Sequence, residues 1–134
     1  MSIKSIVSIL LGIGVVFLAA CQEEPETAWL KSELYFGIGL YGADPSISEE
    51  EWFGFLDEVV TPEFPAGFSA APLYGQWQGQ QMETPVRLAS KVIIILHPDT
   101  PEDKARIERI REGWNARYDH ESVLLSQQSA RVSF

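Results

Sequence analysis

Two periodicities divide the chain after residue 31 into strands and helices. Residues 33–37 (ELYFG) and 91–97 (KVIIILH) are short runs of aromatic and β-branched residues, a pattern typical of strands. Residues 68–77 (FSAAPLYGQW) form a weaker strand pattern that contains a proline, which favours an edge position in the sheet. The alternation of apolar and polar residues over 123–134 predicts a fourth strand.

The segment after residue 47 carries the start signal of a helix. Ser48 and Glu51 match a capping box, in which the serine accepts a backbone hydrogen bond and the glutamate returns one. Apolar residues then recur at steps of three and four until Thr61-Pro62, where we expect the helix to end because a residue before proline avoids the α region. These apolar positions are Trp52, Phe53, Leu56, Val59 and Val60.

A second helix is predicted to follow Thr100, which suits the N-cap, with Pro101 at the first helical position. Gly113 lies within this helix, where glycine costs about 1 kcal/mol relative to alanine. Close packing is one explanation for it. The apolar face of the helix is formed by Ile107, Ile110, Trp114 and Tyr118.

The predicted elements follow the order β-α-β-β-α-β, which is the split arrangement of ferredoxin-like folds. The sequence therefore predicts an α+β domain over residues 32–134. We expect a four-stranded antiparallel sheet with both helices on one face.

The third predicted strand has no polar side. Residues 92–96 (VIIIL) are all apolar, so both faces of this strand should be covered. Two helices on one face cannot do this, and a second copy of the sheet is the simplest cover, so we expect a homodimer packed sheet to sheet. The alternatives are that the N-terminal tether, the connection over 75–90 or the C-terminal tail folds over the face, since an uncovered apolar face would be a large patch.

The first twenty residues differ from the rest of the chain. Lys4 gives a positive start, and residues 6–20 are apolar apart from one serine. This stretch is short for a membrane span of about 20 residues and fits a signal peptide over residues 1–20. It ends in the sequence Leu-Ala-Ala-Cys, which resembles the lipobox of bacterial lipoproteins.

The lipobox resemblance implies cleavage after residue 20 and lipidation of Cys21, so that the lipid bilayer is a partner of the chain through this residue. Residues 21–31 then form an acidic tether. Gln22 stands after the cysteine where an aspartate would favour retention at the inner membrane. If the host has two membranes, this implies the outer membrane, facing the periplasm. The alternative is an uncleaved N-terminal helix with a chance cysteine.

Composition excludes several classes of function. The chain has 134 residues and a formal net charge of −9, which argues against a nucleic-acid partner because such a protein must neutralise phosphates. One cysteine excludes an internal disulfide framework and a cysteine-rich zinc site. Residues 21–63 hold eleven acids and one base, whereas residues 64–134 hold eight of each, so the net charge lies in the tether and first helix.

Motifs for cofactor chemistry are weak. Residues 37–42 (GIGLYG) match the spacing G-x-G-x-x-G, but the predicted helix begins six residues later and the fold is not doubly wound, so we expect a flexible loop. The two histidines, His97 and His120, fall at opposite ends of the predicted sheet. We therefore expect no metal and no cofactor, and a hydrogen-bonding role for His97 at a strand-to-helix turn.

One group of residues favours a ligand site. The topology brings together the loop after the first strand, the hairpin between the second and third strands, and the start of the fourth strand. Aromatic rings, a cation and a carboxylate at that end would suit a small ligand. Lys91 and Glu121 could equally form an ion pair that orders the strand ends. The candidate binding residues are Tyr41, Gln76, Trp77, Lys91, His120 and Glu121, with Arg87 nearby.

Eight short stretches of the predicted domain form an ordered set: 33–37, 48–53 (SEEEWF), 61–67 (TPEFPAG), 75–77 (GQW), 90–92 (SKV), 96–98 (LHP), 107–111 (IERIR) and 121–123 (ESV). Together they resemble a bacterial family, domain of unknown function 3574, over about residues 32–134. The resemblance implies no established activity, and it agrees with export because the family often occurs in exported proteins. The chain departs from the family pattern at Leu88 and Ala89, where an acid is usual, and at His120, where glutamine is usual. These departures weaken a catalytic role for that corner.

The sequence supports three hypotheses of function. The first is a lipid-anchored envelope protein whose domain binds a small ligand or a protein and performs no chemistry. The second is a small enzyme with a site at the Trp77, Lys91 and Glu121 end, which requires a concave pocket and a Lys91 or Glu121 that is buried and has a perturbed pKa. The third is a structural subunit of a larger envelope assembly.

Overall fold

The computed structural model describes residues 28–43, 46–119 and 122–134. The predicted signal peptide, Cys21, the tether residues 21–27, His120 and Glu121 lie outside the described residues. Within the described ranges no helix is both long and apolar enough to cross a membrane.

The strands are β1 (Trp29–Leu40), β2 (Ser69–Trp77), β3 (Val86–Pro98) and β4 (Leu124–Ala130). The helical elements are α1 (Glu49–Phe55), a π-helical segment (Leu56–Val60), α2 (Thr61–Glu63) and α3 (Pro101–Tyr118).

The four strands form one antiparallel sheet in the order β2-β3-β1-β4. This order confirms the predicted α+β fold with split β-α-β-β-α-β topology. The central strands β1 and β3 extend beyond the predicted strands, because each is held by a partner on both sides and their ladder runs from Trp29↔Pro98 to Leu40↔Leu88. β1 therefore includes residues 29–31, which the sequence pattern assigned to the tether.

Alternation along the central strands places one apolar row of each against the helices. Leu34 and Phe36 of β1 and Ile93 and Ile95 of β3 are all buried in the core. Their neighbours from the helices are largely aromatic, and Trp114 of α3 lies 4.8 Å from Phe36 between ring centroids. Ring pairs at such distances add to the area that they bury. The core includes Trp52, Phe55, Leu56, Val60, Ile107, Ile110 and Trp114 from the helical elements.

The first helical segment continues past Thr61-Pro62, so the expectation that it ends there is wrong. Thr61 has α-helical dihedral angles (φ −57°, ψ −42°), and its N–H bonds to the carbonyl of Leu56 in the wider π-helical pattern. Pro62 then falls in the first turn of α2, directly after the wider π-helical turn. The helical run ends at Phe64, which leaves the helical region (φ −128°, ψ 68°).

Gly113 marks the closest approach of α3 to the π-helical segment. A Cβ built on Gly113 would lie 3.0 Å from Cγ1 of Val59, which is tighter than ordinary van der Waals contact. The close packing offered as an explanation for this helical glycine is therefore present.

The sheet face away from the helices is partly polar. Along β1, Lys31 Nζ lies 2.9 Å from Glu33 Oε1, and the Tyr35 hydroxyl donates to Glu33 Oε2 at 3.0 Å. These side chains lie across the ladder from the apolar β3 residues on the same face. There Val92 is buried, whereas Leu96 is 47% exposed.

C-terminal residues contact one end of this face. The ring of Phe134 lies 6.1 Å from that of Trp29, and Val132 and Phe134 line a groove of about 300 Å³ together with Ile94 and Leu96. Phe134 is nevertheless fully exposed, so this contact covers little of the apolar face, and the alternative in which the tail folds over it stays a prediction. The sheet-to-sheet homodimer also stays a prediction.

Candidate functional site

A groove of about 250 Å³ lies on the helix side of the sheet, between α1 and β2. β2 is an edge strand, so nothing beyond it closes this side of the groove within the part of the chain that the structure describes. Apolar side chains form most of the lining, and one lysine lies at its base. The lining residues are Glu49, Trp52, Phe53, Leu56, Ala70, Ala71, Pro72 and Lys91.

Lys91 is a buried cation at the base of this groove. Its position on β3 faces the helices, two residues before the core residue Ile93, and only 6% of its surface is exposed. The ammonium Nζ donates to Glu49 Oε1 at 2.5 Å and lies 5.3 Å from the centroid of the Trp52 ring. A carboxylate and an aromatic face both stabilise a cation, which offsets part of the cost of removing the charge from water.

The capping box at the start of α1 holds this carboxylate near the groove. The Ser48 hydroxyl accepts from the backbone N–H of Glu51 at 3.2 Å, and the N–H of Ser48 donates to Glu51 Oε2 at 2.8 Å. This confirms the predicted capping box. The bonds from Ser48 hold the pKa of the Glu51 carboxyl below its usual value. Because the helix start is fixed, the first-turn residue Glu49 is placed beside Lys91.

The base of the groove continues along one side of β2. Ala70, Pro72, Tyr74 and Gln76 alternate on the helix side of this strand. The Tyr74 hydroxyl donates to Gln76 Oε1 at 3.1 Å, and the ring of Tyr41 lies 4.9 Å from that of Tyr74. The predicted residues Tyr41, Gln76 and Lys91 therefore share one side of the sheet.

Trp77 does not join this group. It follows Gln76 directly in β2, so its side chain points to the opposite face. There it lies at the β2–β3 hairpin, with Gly79 beside its ring. Arg87 is exposed and pairs with Gln76 in the β2–β3 register. His120 and Glu121 lie outside the described residues.

The ion-pair partner of Lys91 in this structure is Glu49, where the sequence suggested Glu121. The sequence did not single out Glu49 as a partner of Lys91, because an acid in the first turn of a helix is expected whether or not it forms an ion pair. The two residues are 42 positions apart, and no local periodicity connects them. Sequence signals place a lysine next to an apolar strand and an acid in a helix start, and only the tertiary fold brings the two together.

A second polar cluster joins two buried side chains to an exposed glutamine, and no local sequence pattern connects the three residues. Ser32 Oγ lies 2.7 Å from His97 Nε2, and Gln127 Nε2 donates to Ser32 Oγ at 2.9 Å. The other ring nitrogen, Nδ1 of His97, lies 2.8 Å from the carbonyl oxygen of Pro98. Since that carbonyl only accepts, Nδ1 donates to it, and Nε2 accepts from the Ser32 hydroxyl. The bond to Pro98 confirms the predicted role of His97 at a strand-to-helix turn.

Serine and histidine at this distance match a nucleophile and its base, but their burial excludes that role here. Ser32 is 0% exposed, so a substrate has no path to its oxygen. The cluster is better explained as a satisfied polar network that links β1, β3 and β4.

The glycine-rich residues 37–42 form the end of β1 and the turn after it. The β1–β3 register shifts between Gly37 and Gly39, and Gly39 has a positive φ of 134°. The N–H of Tyr41 donates to the carbonyl of Arg87 at 3.0 Å, so this N–H is bonded to the end of β3 and does not point at a ligand. These glycines serve a bulge and a turn. No three His, Cys, Asp or Glu side chains in the described part of the chain are grouped to hold a metal ion.

The family model for "Protein of unknown function (DUF3574)" matches residues 31–134. The chain belongs to this family. A search of the curated proteins finds no match.

Solved structures similar to the chain include a phage SAM lyase and a CutA protein. A phage SAM lyase in complex with S-methyl-5'-thioadenosine is 18% identical, covers 80% of this chain and 85% of its own, and has a TM-score of 0.55. CutA from Synechococcus elongatus PCC7942 is 8% identical, covers 78% of this chain and 79% of its own, and has a TM-score of 0.50. At these identities the likeness shows the fold of this DUF3574 member.

Replacing Ser32 by alanine tests the buried polar network. The change leaves Nε2 of the buried His97 without its partner, whereas the amide of the exposed Gln127 can bond to water, so we expect Ser32→Ala to lower the free energy of unfolding by about 1–3 kcal/mol. Urea unfolding measures this. Ser126→Ala, at an exposed position of β4, is the matched control and should change it by less than about 0.5 kcal/mol. Equal effects of the two substitutions would contradict the network.

Proposed function

We propose that this chain is a lipid-anchored envelope protein whose domain is a binding module for a small ligand. The ligand occupies the groove between α1 and β2 and is not chemically changed there. In a host with two membranes, the module is attached to the outer membrane and faces the periplasm.

The observation that carries the binding role is the buried cation at the base of a largely apolar groove. Small-ligand sites typically combine apolar walls with a few polar groups that orient the ligand. Here Trp52, Leu56 and Pro72 supply apolar walls, and Lys91 supplies a fixed charge. The Tyr74 and Gln76 side chains extend the same side of β2 beyond the groove with further polar groups.

Two observations favour binding over catalysis. The Lys91 ammonium is paired with Glu49 and lies near the Trp52 ring, and an ammonium has no lone pair with which to attack a substrate. The Ser32–His97 pair has suitable spacing for nucleophilic catalysis but is sealed in the core. The likeness to a phage SAM lyase is a likeness of fold at 18% identity, so it supports no lyase activity for this chain.

The envelope location is supported by the sequence before the domain. Residues 1–20 have the layout of a signal peptide, and Cys21 follows a lipobox-like Leu-Ala-Ala. β1 begins at Trp29, so few residues separate the proposed lipid from the sheet. An extended chain spans at most about 3.6 Å per residue, so the module would stay within about 30 Å of the bilayer.

Substitution of Cys21 tests the anchor. We expect Cys21→Ala to abolish labelling by a palmitate analogue and to release the protein from membranes or block its processing, because the acyl chains are attached through the cysteine. Metabolic labelling with the palmitate analogue, followed by fractionation of cells that express the full chain, measures the label, the membrane attachment and the processing. Gln22→Ala is the matched control and should keep the label. Unchanged lipid labelling in Cys21→Ala would remove the lipoprotein proposal.

Blocking the groove tests the binding role. We expect at least one of benzoate, benzamide, benzylamine, hexanoate and hexanamide to shift the backbone NMR signals of Leu56, Ala71 and Lys91. Ala70→Phe places a ring in the groove from an exposed position of β2, so it should abolish these shifts. Ala105→Phe, at an exposed position of α3, is the control and should preserve them. Shifts that are absent, or that fall outside the groove, would contradict the binding role.

A further inference from the structure

We infer that the groove takes a small monocarboxylate with an apolar body, and that the ligand carboxylate replaces Glu49 on the Lys91 ammonium. This rests on the proposed function, because it names the ligand class of the same groove.

The requirement for an anion comes from the burial of Lys91. Only 6% of the residue is exposed, so water cannot solvate its charge well, and loss of a counter-charge from a buried ion pair is strongly unfavourable. Glu49 supplies that counter-charge at 2.5 Å. A ligand that enters beside Lys91 therefore fits best if it brings a negative group of its own.

Glu49 is the acid in this region best suited to leave. Its side chain is 68% exposed, so its carboxylate gains full hydration when it turns away from Lys91. Glu51, in the same helical turn, is held more firmly because it accepts two hydrogen bonds from Ser48. Exposed ion pairs contribute little, so the exchange costs little on the Glu49 side.

The rest of the groove selects the body of the ligand. Beyond Lys91, the lining is formed by Phe53, Leu56, Ala70 and Pro72, which offer apolar contact. The volume of about 250 Å³ is at or below the small end of ligand pockets, which span about 300–1,000 Å³. A single ring or a short alkyl chain therefore fits better than a nucleotide-sized molecule.

The charge of the groove favours one negative group over several. Lys91 is the single cation among the described residues that line it, and the exposed acid Glu49 lies beside it in the first turn of α1. A phosphate dianion would bring two negative charges to one positive charge. A monocarboxylate is neutralised by Lys91 alone, with the geometry that Glu49 already shows.

The test measures the affinities of benzoate and hexanoate, and of their neutral amides, by NMR titration of the folded domain. We expect both carboxylates to bind more tightly than benzamide and hexanamide. Glu49→Gln removes the competing carboxylate and should raise carboxylate affinity by about two- to fivefold, the range that an exposed ion pair contributes. Glu50→Gln, one residue along the same helical turn, is the matched control and should leave affinity unchanged.

Lys91 variants complete the test. Lys91→Met should abolish the preference for carboxylates over amides, and Lys91→Arg, which keeps the charge if the methionine variant fails to fold, should retain it. Benzamide binding as tightly as benzoate, or Glu49→Gln leaving carboxylate affinity unchanged or lower, would overturn the inference. If the amides or benzylamine then still shift groove signals, the binding module itself stands. If no probe shifts those signals, the proposed function fails as well.

Discussion

The register between β1 and β3 is the constraint on which both the core and the groove depend. It sets Phe36 opposite Lys91 and Leu34 opposite Ile93, so that apolar and charged residues on the helix side fall at fixed places along the ladder. Because side chains alternate along a strand, a slip of one residue would turn the whole row to the other face. The core would lose Ile93 and Ile95, and the ammonium of Lys91 would leave the ring of Trp52. The hydrogen bond between Ser32 and His97 joins the same two strands.

Two buried polar side chains of β3, Lys91 and His97, face the helices, and they are satisfied in different ways. His97 bonds to Ser32 and to the carbonyl of Pro98, and the side chains of both His97 and Ser32 are closed to solvent. Lys91 reaches the edge of the core, where its carboxylate partner belongs to an exposed side chain. A closed network specifies structure, whereas a buried charge with an exposed counter-ion can change partners. This difference is the physical basis for assigning the ligand site to Lys91 and a structural role to His97.

Local signals in the sequence predicted the element order well. The capping box at Ser48, the N-cap at Thr100 and the apolar run of β3 each lie where a short stretch of sequence determines the structure. The run-on of the first helix past Pro62 was not predicted, because the π-helical widening depends on how the segment packs rather than on the residue before the proline. The opposed directions of Gln76 and Trp77 did follow from the sequence, since neighbours in a strand face opposite sides, and grouping them was an error of geometry. The pairs Lys91–Glu49 and Ser32–His97 are separated by 42 and 65 residues, so local patterns carry no trace of them.

The central claim is that Lys91 is a buried, immobilised cation beside Trp52 and Glu49. The most direct measurement is a nitrogen-edited NMR spectrum of the lysine ammonium groups in the folded domain. We expect the Lys91 ammonium to exchange slowly with water, to be shielded by the Trp52 ring and to show Overhauser contacts to that ring, in contrast to the half-exposed Lys104. A Lys91 signal that exchanges as fast as that of Lys104 and shows no contact to Trp52 would contradict the claim.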